Sequence, residues 1–195
     1  MTLNHKLDLH SSTLRRYLDA SHVNCVLRLV APVLRDARFH HWPASLPGKD
    51  GQPPKHHGET GGLSRHTNEV LAFALGAATS HAGNDRIALA VGAIWHDIGK
   101  IREYAVTEAG VWFRATPLVS HICHGLQQWQ SACDLLGDVP PQLKEHVTHM
   151  IASHHGRKEW GSPVVPSTLE ALILHSADCQ SLMLDGADNP AFRLP

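Results

Sequence analysis

Apolar residues recur along most of this chain at the three-and-four spacing of an amphipathic helix. Val23, Val26, Leu27, Val30, Val33 and Leu34 line one face of a helix over residues 22–38, with Pro32 as a kink, and a shorter helix is expected ahead of it. Val70, Leu71, Ala74 and Leu75 mark a second helix from Leu63 to Ser80. A third, Asp85 to Trp95, is apolar nearly all round, which predicts a central position, and Asn84 is its expected cap. Leu118 to Leu136 reads as a helix closed by Gly137, and Pro140-Pro141 open another that runs to about His154. Ser167-Thr168-Leu169-Glu170 has the form of a capping box at the start of the last helix. Only Ile101 to Phe113, with aromatic and β-branched residues around Glu108-Ala109-Gly110, suggests a small hairpin. The expected class is all-α, a bundle of five to seven helices.

Between Trp42 and Gly62 the pattern breaks. Four prolines and five glycines in that stretch exclude helix and strand, and a long loop ends in Lys55-His56-His57 just before the Leu63 helix. Residues 1–21 are expected to be an N-terminal extension and 22–195 a single domain. The N-terminus has neither the basic start nor the apolar run of a secretory signal, and the four scattered cysteines form no C-x-x-C pair, so a reduced, cytoplasmic setting is expected. No apolar run reaches the ~18 residues that would cross a bilayer, and no membrane partner is expected. The net charge of −1 offers no general attraction to nucleic acid, although residues 1–58 are mildly basic.

Composition changes this picture at one point: 17 of the 195 residues are histidine, and most fall between His56 and His175. Their spacing points to metal. In Trp95-His96-Asp97-Ile98-Gly99-Lys100 a histidine and an aspartate are adjacent where a buried helix is expected to end. Neighbours in an unbroken helix diverge by about 100°, so two such side chains converge on one ion only at a terminus, and Gly99 is the expected terminator. An imidazole beside a carboxylate makes a mixed N/O site suited to Mn, Fe, Co or Ni, with Mg or Zn also accommodated. His66, thirty residues earlier, and Asp178, eighty-one later, lie on other helices and can close the site from facing sides.

His66, His96-Asp97 and Asp178 in this order resemble the H…HD…D signature of the HD phosphohydrolase superfamily. Gly61-Gly62-Leu63-Ser64-Arg65-His66-Thr67, Ser120-His121-Ile122, Ser153-His154-His155-Gly156 and Glu159-Trp160-Gly161-Ser162-Pro163 extend the resemblance to the branch of bacterial 3′–5′ exoribonucleases, and to HD domains of relaxase-associated proteins. The exoribonucleases carry an N-terminal OB-fold, whereas about twenty residues precede the resembling region here, so a short substrate is expected. The loop before His56 also looks longer than the family's, with Pro47, Gly48, Asp50 and Gly51 as an insertion.

The resemblance implies a metal-dependent hydrolase acting on phosphoesters of nucleotides, other phosphorylated small molecules or short oligonucleotides. By likeness to HD-type cyclic-dinucleotide phosphodiesterases, His121, His154 and His155 are expected to hold a second ion, with Asp97 bridging it to the ion on His66, His96 and Asp178. The Gly-Tyr-Pro signature of that group is replaced here by Gly161-Ser162-Pro163, which lowers the expectation of a cyclic-dinucleotide substrate. Lys100 is placed to reach a phosphate oxygen, and His56, His57 and Trp160 are the remaining substrate-binding candidates. The other class of function compatible with these residues is a metal-stabilised binding or regulatory module; a homodimer is compatible with either.

Overall fold

The computed structural model describes residues 3–47 and 56–187. Helices α1 (Leu3–Tyr17), α2 (Ala20–Leu34), α3 (Gly62–Ala78) and α4 (Arg86–Trp95) come first, followed by a single turn, α5 (Lys100–Glu103). A two-stranded antiparallel hairpin, β1 (Tyr104–Val106) with β2 (Trp112–Arg114), pairs Ala105 with Phe113. Helices α6 (His121–Leu136), α7 (Pro141–Ser153) and α8 (Leu169–Ala187) complete the all-α architecture.

Helix α4 is the axis of the bundle. Every residue from Ala88 to Trp95 is buried, and α2, α3, α7 and α8 all pack on it, as its nearly unbroken apolar sequence demands. Its start is fixed by Asp85, whose carboxylate accepts from the Ala88 N–H at 2.9 Å; Asn84, the expected cap, turns back to the Ala78 carbonyl of α3 instead. Helix α1, within the expected extension, packs on α2 and α3 and places Leu14 in the core.

The final helix departs from the expected capping box by one residue. Thr168, not Ser167, accepts from the Ala171 N–H at 3.2 Å. Glu170 is therefore free to join helices: it accepts from the Asp85 N–H at 2.6 Å and faces His146 Nε2 at 3.2 Å.

Gly99 is likewise not a left-handed terminator, since its φ of −59° is ordinary right-handed helix. Its smallness serves close approach: a Cβ there would lie 1.8 Å from the His121 carbonyl oxygen. The turn after α4 is thereby pressed against the start of α6. The 42–62 loop is cinched at its neck, where Ala44 N donates to His57 O and Ser45 Oγ to His56 O. Of the expected insertion, Pro47 is exposed, while Gly48, Asp50 and Gly51 fall outside the described residues.

Candidate metal centre

Five helices bring the titratable side chains to one point, most of them from helix ends. His66 comes from the second turn of α3, His96 and Asp97 from the end of α4, His121 from the first residue of α6, His154 and His155 from the end of α7, and Asp178 from the middle of α8. His66, His96, Asp97 and His154 are essentially inaccessible to solvent, and His121 is buried at the rim.

Asp97 lies between two groups of imidazoles. Its Oδ2 faces His66 Nε2 at 3.5 Å and His96 Nε2 at 3.4 Å, while its Oδ1 faces His121 Nε2 at 3.4 Å and His154 Nε2 at 3.6 Å. Asp178 Oδ1 stands 3.1 Å from His66 Nε2 and 4.0 Å from His96 Nε2 on the first side. On the other side, His155 completes a triad with His121 and His154 whose donor atoms lie within 4.8 Å of one another, as do those of His66, His96 and Asp178.

Hydrogen bonds on the outer nitrogens set the tautomers. His96 Nδ1 lies 2.7 Å from the Ala93 carbonyl, His154 Nδ1 2.8 Å from the Ile151 carbonyl, and His155 Nδ1 2.8 Å from the Trp160 carbonyl. A carbonyl can only accept, so each ring carries its proton on Nδ1 and leaves the Nε2 lone pair free. Glu103 does the same for His121: its Oε2 takes both the ring Nδ1–H at 3.0 Å and the backbone N–H at 2.8 Å. For His66 the logic runs through Ser181, whose hydroxyl donates to Glu69 Oε2 at 2.8 Å and so accepts from His66 Nδ1 at 3.0 Å. Five inward nitrogens thus present lone pairs around the buried Asp97 carboxylate and the partly exposed Asp178 one, which is the arrangement a divalent cation needs.

The protein alone leaves this centre unsatisfied. Asp97 Oδ1, His121 Nε2 and His154 Nε2 are buried without a hydrogen-bond partner. Buried polar atoms in native folds are nearly always paired, so the residues fit a metal on their chemistry as well as on their placement.

Electrostatics agree. Burial pushes His66, His121 and His154 below the ordinary histidine value, and takes His155 down to about 4, so these rings favour the neutral, ligating form. Burial pushes His96 the same way, but the adjoining Asp97 and Asp178 outweigh it and leave that ring raised. Against a large burial penalty, Lys100 and His96 hold Asp97 well below the usual carboxylate range, and His66 holds Asp178 below it too. Lys100 is itself buried with Nζ 2.5 Å from Asp97 Oδ2; desolvation works against its charge, and Asp97 keeps it protonated.

The other candidates divide. His56 and His57 are buried rather than surface groups, with ring centroids 4.9 and 5.1 Å from that of His66. Burial, with Lys100 nearby, takes His56 down to about 3. His57 Nε2 donates to Glu69 at 3.0 Å and its backbone N–H to Asp185, so that this histidine staples the loop neck to α3 and α8. Trp160 sits on a short 3-10 turn at the surface, over half exposed. His124 bonds Thr116 at 2.9 Å, and His146 and His149 hold the start of α8 through Thr168 and Ser167. Glu103, Glu69, Ser181 and Asp185 were not among the sequence candidates. Two of them carry a faint signal, Glu69 one helical turn after His66 and Glu103 one turn after Lys100, but spacing alone does not distinguish them from solvated acids.

The HD domain model matches residues 63–183, and the chain belongs to that family. It is 33% identical over 135 residues to the 3′-5′ exoribonuclease YhaM of Bacillus velezensis, an alignment covering 68% of this chain and 43% of that protein. The Bacillus subtilis protein of the same name is 31% identical over 155 residues, covering 78% and 47%, and the Listeria monocytogenes one 32% over 154, covering 77% and 45%. The chain thus spans less than half the length of the curated relatives it matches. No solved structure matches it significantly. Among the described residues, no helix is long and apolar enough to cross a membrane.

Proposed function

We propose that this chain is a metal-dependent phosphohydrolase with a binuclear centre, cleaving phosphoester bonds of nucleotides or short RNA. One observation carries the reading: the two oxygens of the buried Asp97 carboxylate face two separate sets of histidine nitrogens. His66, His96, Asp97 and Asp178 would hold one ion, and Asp97 with His121, His154 and His155 the other. When bound, such ions lower the pKa of water and neutralise charge that develops on a phosphoryl group.

The chain's own residues supply the rest. Ala93, Ile151 and Trp160 carbonyls, Glu103 and Ser181 hold the five rings in the ligating tautomer, which spares reorganisation during turnover. Lys100, buried against Asp97, brings a protonated amine to the cluster, where it can pair with a non-bridging phosphate oxygen. His56, buried against His66, excludes water from the α3 side and offers a neutral imidazole toward the leaving group. The exoribonuclease relatives support nucleic acid as the substrate class. Residues 22–195 are taken as the hydrolase unit.

The test is direct. Metal content is measured after Mn saturation, and the loaded protein is assayed against bis-p-nitrophenyl phosphate, nucleoside phosphates and short RNA, with Asp97→Ala as control. About two ions per chain and hydrolysis lost in the variant are expected. One ion per chain would refute the binuclear centre, and inactivity toward every phosphoester would refute the hydrolase.

A further inference from the structure

Beside the metal centre runs a cleft of about 560 Å³ lined by His155, Trp160, Asp178, Leu182 and Met183, among others. That volume suits a unit the size of one nucleotide. Asp178 and His155 belong to the two opposite halves of the cluster, so the cleft opens onto both. Most of its remaining wall is apolar and exposed, with the Trp160 indole at 55%, Met183 at 62% and Leu182 at 38%; Glu159, His175 and Cys179 complete the lining.

The indole is tied to the metal ligands. The Trp160 carbonyl is the group that accepts from His155 Nδ1 at 2.8 Å, so the residue that orients a ligand also presents the aromatic surface. The Arg157 guanidinium lies 4.9 Å from the ring centroid, and the His175 ring 6.2 Å away, tilted by 40°. His175 is held in turn by the His154 carbonyl, at 2.8 Å from its Nδ1. An exposed aromatic beside the candidate metal centre, with a cation over its ring, has the form of a base-stacking platform, which tolerates any base because every base offers a π-face.

We infer that this cleft is a subsite for the nucleobase of the nucleotide whose phosphate is attacked, stacked on Trp160 and flanked by Leu182 and Met183. The inference rests on the phosphohydrolase reading and makes the substrate a base-bearing phosphodiester rather than any phosphoester. Trp160 acts there as a binding residue and touches no reacting atom.

The experiment uses metal-loaded protein and a 5′-labelled RNA tetramer with phosphorothioate linkages, ending either in a 3′ adenosine or in a 3′ abasic residue. Dissociation constants are measured for the native chain, Trp160→Ala and Trp160→Phe. The native chain should bind the abasic end about tenfold more weakly, the size of one lost stacking contact. Trp160→Ala should bind both ends equally and weakly, and Trp160→Phe should recover most of the discrimination. Metal content and thermal midpoint, unchanged in both variants, show that they are folded. Equal binding of the two ends by the native chain, or discrimination surviving in Trp160→Ala, would overturn the subsite even if the protein hydrolyses RNA. Discrimination without hydrolysis of any phosphoester would support the subsite while sinking the hydrolase.

Discussion

At the scale of single residues, the centre depends on groups that never meet the substrate. Glu103 is buried, accepts twice from His121 and also pairs with Arg114 of the hairpin at 2.9 Å. Its carboxylate keeps the His121 lone pair aimed at Asp97 Oδ1 while the first half of the cluster does not use it. Glu103→Ala should therefore weaken the second ion selectively, by about 10- to 100-fold, the usual effect of losing such a partner. Titration with Mn followed by competition with a chelator should then show one tight and one weak ion in the variant, against the two tight ones expected of the native chain. Ser181→Ala is the mirror case, since it removes the group that accepts from His66 and leaves Glu69 without its hydroxyl donor. There the first ion should weaken by a similar factor, about tenfold or more. Equal loss of both ions in either variant would mean that the two halves are not separately held.

At the scale of elements, the approach of α5 to α6 is set by a missing methyl group. Gly99→Ala puts a Cβ 1.8 Å from the His121 carbonyl and 2.7 Å from the Gly125 nitrogen, both backbone atoms that no rotamer change can move. Overpacking of this kind costs about 1–3 kcal/mol in ordinary cores, and a clash with backbone belongs at or above the top of that range. Urea unfolding should show a loss of about 3 kcal/mol or more, together with weaker metal binding because His121 is displaced. An unfolding free energy within about 0.5 kcal/mol of the native one would mean that the turn can move aside freely.

This glycine also marks where sequence reading stops. The helices of the bundle were legible because each carries an apolar stripe of period 3.6, and His66, His96, Asp97 and Asp178 stood out as candidates because they occur on helical segments in the order of the HD signature. Gly99 was visible, but its reason was tertiary: the carbonyl it admits lies 22 residues away in α6. Asn84 and Asp85, or Ser167 and Thr168, are equivalent as local capping signals, and packing between α4 and α8 through Glu170 chose between them. Glu103 and Ser181 were hidden for the same reason, since their partners are distant in sequence and neither residue type announces a ligand.

For the molecule as a whole, the centre is a knot joining α3, α4, α6, α7 and α8, so its occupancy bears on global stability as well as on chemistry. An ion that binds only the folded chain stabilises it by about 2.7 kcal/mol at a free concentration one hundred times its dissociation constant. For a chain of this length each kilocalorie moves the thermal midpoint by about 2–4 °C, so chelation should lower it by roughly 5–10 °C, and Mn should restore it. Asp97→Asn removes charge from both halves of the cluster and should abolish most of that shift while conserving the side-chain volume. In the chelated chain the midpoint should also fall as the pH is lowered from 7 to 5. His56, His66, His121, His154 and His155 are all depressed in the fold below the value of 6.5 they regain when unfolded. Below that pH the unfolded chain takes up protons that the folded chain refuses, so stability present above about 6.5 is progressively lost toward the folded values. His96 is raised and works in the opposite direction, but it is one ring against five. A midpoint of the chelated chain that stays level or rises between pH 7 and 5 would show that these rings are not held neutral, and with that the preformed set of inward lone pairs would be lost as the basis of the metal centre.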